Sequence, residues 1–178
     1  MTQHAVLLRA VNVGGRNKVP MARLRDSLTD AGFTDVVSYL QSGNLVLGSR
    51  KGPASVGRDV AAIIEREFGL TIAVTVRSHA ELTAVVASDP FADVRTDDAR
   101  HGVAFLDGLP AAKRLAELDP DGFLPDRLVA AGREIHLWCP NGFQQTDLTN
   151  AFLERRLGVV ATTRNWRTVG KLCDLADR

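Results

Sequence analysis

With 178 residues, 45% apolar and 24% charged side chains and a formal net charge of +1, the chain has the composition of a folded domain. It is neither a disordered segment nor a strongly basic polyanion binder. No apolar stretch approaches the ~20 residues of a bilayer-spanning helix. The opening "MTQHAVLLRA" lacks the pattern of an export signal, and the two cysteines, Cys139 and Cys173, have no metal-ligand spacing, which predicts free thiols in a reducing cytoplasm.

The first predicted strand, "AVLLRAV", is nearly continuous in apolar residues, as suits a central strand covered on both faces. A turn follows, "NVGGRNKVP", rich in glycine, asparagine and basic side chains. Pro20 suits a first helical position, and Met21, Leu24, Leu28 and Ala31 then share one helical side before Gly32. "VVSYLQSGNLVLGS" reads as two strands joined by a two-residue loop at Gly43-Asn44. A second helix is predicted after Gly52-Pro53, with Val56, Val60, Ile63, Ile64 and Phe68 inward and Gly69 at its end. "TIAVTVR" alternates as a strand, and "SHAE" at 78–81 is a capping box opening a third helix.

The order β-α-β-β-α-β is the split arrangement of ferredoxin-like folds. "SDPFADVRTDDARH" reads as a polar connection. Beyond it, "GVAFLDG" is a strand, "PAAKRLAELD" a short helix, and "DRLVAAGREIHLWC" a hairpin turning near Gly132. "TDLTNAFLERRLG" and "TTRNWRTVGKLCDLA" both have helical spacing, so a final helix is expected where the first half has a strand. The expected fold class is α+β, with two ferredoxin-like halves, antiparallel or mixed sheets and packed helices. The expected organisation is an N-terminal subdomain at 1–88, a connection at 89–100 and a C-terminal α+β subdomain at 101–178.

Charge is uneven along the chain. Residues 1–27 carry five basic and one acidic side chain, residues 28–153 eleven and seventeen, and residues 154–178 six and three. Termini close in space would make a basic face able to attract phosphate or carboxylate groups. The glycine turn fails the P-loop and G-x-G-x-x-G patterns. Gly14 and Gly15 still allow close backbone approach beside a helix start, where unpaired N–H groups face an anion. Arg16 and Lys18 would add charge, and Asn12 and Asn17 would orient a polar ligand. A tight strand-to-helix turn with asparagines bonded to local backbone explains the same residues without a ligand.

Arg9 lies inside the predicted apolar strand, so it must meet a carboxylate, reach solvent or hold an anionic ligand. Ser42 and Asn44 flank the hairpin glycine. Thr162 or Thr163 would cap the last helix, placing Arg164, Asn165 and Trp166 in its first turn, with Trp166 in the core. The histidines His4, His79, His101 and His136 are scattered, and no general base, nucleophile, cofactor or metal set is nominated.

"LLRAVNVGGRNKVPMARLR", "YLQSGNLV" and "GVVATTRNWRTVGKL" resemble the bacterial family of domain of unknown function 1697, from about Ala5 to Ala176. The matching residues are Arg9, Asn12, Gly14, Gly15, Asn17 and Pro20, then Ser42, Gly43 and Asn44, then Thr163, Arg164, Asn165 and Trp166. The resemblance implies an α+β fold of ferredoxin-like halves and no set reaction, substrate or cofactor. Where relatives resemble "G-x-x-x-S-K-L", this chain reads "GFQQTDL", with Asp147 at the position of the lysine.

The leading reading is a cytoplasmic protein binding an anionic small molecule, a nucleotide or phosphorylated metabolite, at the Gly14-Gly15 turn. Arg9, Arg16 and Arg164 would supply charge, and Asn12, Asn17 and Asn165 orientation, beside Ser42, Asn44 and Thr163. The alternatives are a non-catalytic interaction or regulatory module and, third, RNA or DNA binding. Against nucleic acid stand a pI near 7.9 and an aromatic content of 6%.

Overall fold

The computed structural model describes residues 1–177. It contains β1 (Thr2–Leu8), α1 (Met21–Asp30), β2 (Thr34–Tyr39), β3 (Asn44–Ser49), α2 (Pro53–Phe68), β4 (Val74–Ser78) and α3 (His79–Ala87). These are followed by β5 (His101–Leu106), α4 (Ala112–Ala116), β6 (Arg127–Ala131), β7 (Glu134–Trp138), α5 (Asn150–Leu157), β8 (Ala161–Asn165) and α6 (Trp166–Ala176). The chain divides into two compact units: residues 1–84 with the C-terminal segment from Lys171, and residues 85–170. The described residues thus form an α+β protein with two four-stranded antiparallel sheets and six helices.

In the first unit the sheet order is β2-β3-β1-β4, every neighbouring pair antiparallel. β1 occupies an interior position and is buried from His4 to Leu8, which accounts for its unbroken apolar run. Successive side chains alternate between faces. Val6 and Leu8 therefore join Leu45, Leu47 and Val76 in one core against Leu24 and Leu28 of α1 and Val56, Val60 and Ile64 of α2. Each such side chain contributes roughly 1.5–3 kcal/mol on burial. Gly69 closes α2 in the left-handed conformation (φ 65°). The capping box forms as its residue types require: Ser78 N donates to Glu81 Oε2 at 2.7 Å and Glu81 N to Ser78 Oγ at 3.3 Å.

Two local expectations are corrected here. The β2–β3 loop is four residues, Leu40 to Gly43, rather than a two-residue turn at Gly43-Asn44, because Asn44 already pairs with Tyr39. The Asn44 side chain is buried and donates to Tyr39 O and Ser42 Oγ, both at 3.0 Å, which ties the loop shut from inside. Arg9, read as a strand residue, lies one position past β1 and is half-buried. β1 ends at Leu8, and Arg9 enters a turn with its N–H bonded to Ala73 O at 3.0 Å.

The second unit has the order β6-β7-β5-β8, again antiparallel throughout. Its elements β5-α4-β6-β7-α5-β8 run in the same sequence as β1-α1-β2-β3-α2-β4. Its helix-side core gathers Ala104, Leu106, Ile135 and Leu137 from the sheet with Leu153 and Leu157 from α5. The largest correction falls here. "ATTRN" is strand β8, paired with β5 from Gly102 to Leu106, so the second half does have a fourth strand. The β-branched Thr162 and Thr163 suit a strand, and the helix starts only after them. Asn165 rather than Thr162 or Thr163 caps α6, its Oδ1 accepting from Thr168 N at 2.9 Å. Likewise α5 begins at Asn150, because Thr149 Oγ1 accepts from Phe152 N at 3.2 Å and fixes the helix start there.

Candidate functional site

The glycine turn is held together by its asparagines. Asn12 (φ 53°) and Asn17 (φ 46°) adopt left-handed conformations beside Gly14 (57°) and Gly15 (75°), a geometry asparagine and glycine tolerate best. Asn12 Nδ2 donates to Val19 O at 2.9 Å and to Gln41 O at 2.8 Å, while its Oδ1 accepts from Val19 N at 2.9 Å. Asn17 Nδ2 donates to Ala10 O at 3.0 Å. Both carboxamides are thus engaged with backbone. The Asn12–Gln41 bond also joins the turn to the β2–β3 loop, so the Asn12–Asn17 and Ser42–Asn44 motifs form one hydrogen-bonded knot. Gly43 is required where the knot is tightest. Its φ is +79°, and an added Cβ would lie 2.7 Å from Leu8 Cβ. Arg16 and Lys18 are exposed at the rim, and α1 begins at Met21, with Pro20 as its extended N-cap rather than its first helical residue and with no side-chain cap bond.

The third motif lies in the second unit, where alternation along β8 separates its members. Thr163 and Asn165 line a cleft of about 780 Å³ together with Arg100, Phe143, Gln144 and Asn150. Arg164, between them, donates instead to Thr162 Oγ1 at 3.0 Å and Thr163 O at 2.9 Å. The cleft volume lies within the ~300–1,000 Å³ typical of small-molecule sites. Thr163 Oγ1 donates to Asn150 Oδ1 at 2.7 Å, anchoring the first residue of α5 to the sheet. Phe143 packs onto Gly102, where a Cβ would meet the ring edge at 2.6 Å. The bare glycine on β5 is what lets this aromatic wall sit so close.

Arg100 supplies the cation of the cleft, with Asp97 Oδ2 3.7 Å from its Nε. Gln145, Asn141 and Thr149 complete a lining dominated by carboxamides and hydroxyls. Asp147 lines a separate hollow with Asp126 and Leu124 and is not part of this cleft. The lining residues Arg100, Asn141, Gln144, Gln145 and Asn150 escaped the sequence reading. Only the "GFQQTDL" segment hinted at them, since contact between β5, β8 and the start of α5 brings them together. Cys139 is buried and its thiol is pushed up to about 11, chiefly by burial, so it is no thiolate nucleophile at neutral pH. No group of three or more His, Cys, Asp or Glu among the described residues has the geometry of a metal site, and no helix among them is long and apolar enough to cross a membrane.

No curated protein matches the chain. One solved structure, described as that of conserved bacterial protein SP0830 from Streptococcus pneumoniae, is similar with a TM-score of 0.77 and 26% identity, covering 99% of each chain. The family described as "Protein of unknown function (DUF1697)" matches residues 1–136, which take in the glycine knot and most of the second sheet. The chain belongs to the DUF1697 family.

Proposed function

We propose that the protein binds a small polar metabolite bearing a phosphate or carboxylate group, a nucleotide or phosphorylated metabolite in the leading case, and that the cleft of the second unit receives it. The observation that carries this reading is the cleft itself: about 780 Å³ gathering Thr163 and Asn165 of the third motif around Arg100 and Asn150. Arg100 would meet the anionic group with a planar fork of donors. The carboxamides of Asn150 and Asn165 and the Thr163 hydroxyl would orient the rest, and the Phe143 ring would form an apolar wall. The one carboxylate lining the cleft, Asp97, is paired with Arg100, so the reading is binding and names no reaction.

A thermal-shift panel of nucleotides, sugar phosphates, carboxylates and neutral sugars at low salt tests it. A ligand that binds only the folded state must raise Tm once it exceeds its Kd. The reading expects a rise from one anionic class that Arg100→Ala abolishes. A rise unaffected by Arg100→Ala overturns the placement, and no rise across the panel favours a non-catalytic interaction module.

A second reading keeps the anion at the Gly14-Gly15 turn. It is favoured by the N-terminus of α1, which has no side-chain cap and lies beside exposed Arg16 and Lys18. There, the double substitution of Arg16 and Lys18 by Ala would abolish the same shift. We also infer that each half is ferredoxin-like, a reading supported by the β-α-β-β-α-β order and the matching strand orders of the two sheets. The free cysteines support placing the protein in the bacterial cytoplasm.

A further inference from the structure

The second unit holds two buried histidines outside the cleft. His101 is wholly buried and His136 nearly so. β5 and β7 pair Val103 with His136 and His101 with Trp138, which puts both imidazoles on one face of the sheet. His101 Nε2 lies 3.2 Å from His136 Nδ1. Its other nitrogen, Nδ1, lies 3.6 Å from Asp89 Oδ1. The His101 ring stacks on Trp166 with centroids 4.2 Å apart and planes 15° from parallel, while Phe91 meets it edge-on at 5.5 Å. His136 Nε2 and His101 Nδ1 are both enclosed and without a hydrogen-bond partner among the described residues, and His101 Nδ1 faces Asp89 at ion-pair rather than hydrogen-bond range.

These contacts select the tautomers. A carboxylate beside His101 Nδ1 favours a proton there, because a bare lone pair would face the negative oxygen. Nε2 of His101 is then an acceptor, so His136 must donate from Nδ1. His136 Nε2 is left as an unprotonated lone pair on the side of the hydrogen-bonded histidine pair away from the Asp89 carboxylate. The charged groups around the chain are mixed. Arg95 donates to Asp89 at 3.1 and 3.3 Å, pairs with Asp98 and sits 5.4 Å over the Trp166 ring. Arg164 of β8 stands opposite Val103, Glu134 of β7 opposite Phe105, and the Arg127 guanidinium of β6 lies over Phe91.

We propose that Asp89, His101 and His136 form a proton-responsive chain whose receiving atom is His136 Nε2, and that proton uptake there releases the His101–Trp166 stack. A proton on His136 makes an imidazolium in an enclosed site with no partner for its new N–H, a state that burial opposes. Burial, the largest cause, pushes His101 down to about 4 and also lowers His136, with Asp89 opposing in both. Acid therefore reaches the pair late and forces it open rather than being absorbed quietly. The stack adjoins the cleft in sequence: His101 follows Arg100 and Trp166 follows Asn165, both lining residues. Its release moves the backbone that carries them, a consequence that rests on the cleft being the binding site but is read without any ligand.

The test uses the full chain labelled with ¹⁵N. Long-range imidazole spectra at pH 7.5 should show His101 and His136 as Nδ1–H tautomers. Acidification should quench and red-shift Trp166 emission, read in Trp138→Phe, with a midpoint below the ordinary histidine value near 6.5, and the Arg100 and Asn165 amide peaks should move with the same midpoint. His136→Phe should lose that transition and keep the folded spectrum at pH values where the parent changes. His136→Gln serves as a second, polar replacement and should lose it too. An Nε2–H tautomer at His136, a midpoint at the ordinary histidine value near 6.5, or an unchanged transition in both variants overturns the proposal. Static Arg100 and Asn165 peaks through the Trp166 transition overturn the link to the cleft alone, and a ligand-free thermal-shift panel leaves the proton chain intact.

Discussion

Asn12 shows how one side chain organises the first unit. Its carboxamide uses both N–H donors and its oxygen on backbone groups of residues 19 and 41, while its own backbone sits at φ 53°. Asn12→Ala loses three hydrogen bonds and the residue type that best tolerates that backbone, for about 3 kcal/mol of unfolding free energy. Asn12→Asp retains the acceptor and falls between the two in urea denaturation. An alanine variant within ~0.5 kcal/mol of the parent would contradict the knot. Gly43→Ala adds left-handed strain to the approach at Leu8 Cβ, 2.7 Å away, and should cost at least ~2 kcal/mol in the same assay. The asparagines and glycines were legible in the sequence as a turn. What they bind was not, because Gln41 lies 29 residues from Asn12 and nothing local announces that contact.

At the scale of elements, the sequence carried the helices with clear apolar faces and the strands with continuous apolar runs. α2 with its Gly69 end, the Ser78–Glu81 box and β1 all follow from spacing and residue type. β8 did not. Its five residues run straight into α6 without an intervening turn, so a single apparent helical period covers strand and helix together. Only pairing with β5 separates them, and that pairing is a tertiary fact. The boundary rests on the Asn165 cap. Asn165→Ala should cost α6 about 1 kcal/mol and raise hydrogen exchange at Thr168, whereas Asn165→Asp should restore protection. Equal exchange in both variants would place the cap elsewhere. The cleft was illegible for the same reason as β8: Thr163 and Asn165 share a face only once residues 161–165 are extended.

For the whole molecule, the buried histidines set the response to acid. His4, His101 and His136 all have lowered values in the folded chain, with burial the leading cause. Each binds its proton more readily when unfolded, near 6.5. Their stabilising effect as neutral groups is therefore complete above that pH and is lost as pH falls below it; for His101 the loss extends to about 4. His101 alone accounts for on the order of 3 kcal/mol across that window. Chemical denaturation at pH 7.5, 6, 5 and 4.5 should show stability falling steadily, and a flat profile would contradict the enclosed neutral pair. The sequence showed four scattered histidines, and antiparallel pairing of β5 with β7 is what turns two of them into neighbours.

The most direct measurement of the central claim is backbone ¹H–¹⁵N shift mapping of the full chain with adenosine diphosphate, glucose 6-phosphate and glucose as probes. Binding at the cleft predicts saturable shifts from a phosphate-bearing probe concentrated at Arg100, Gly142, Asn150 and Thr163, with Gly14 to Asn17 unmoved. Saturable shifts confined to Gly14 to Asn17, or none from any probe, would contradict it.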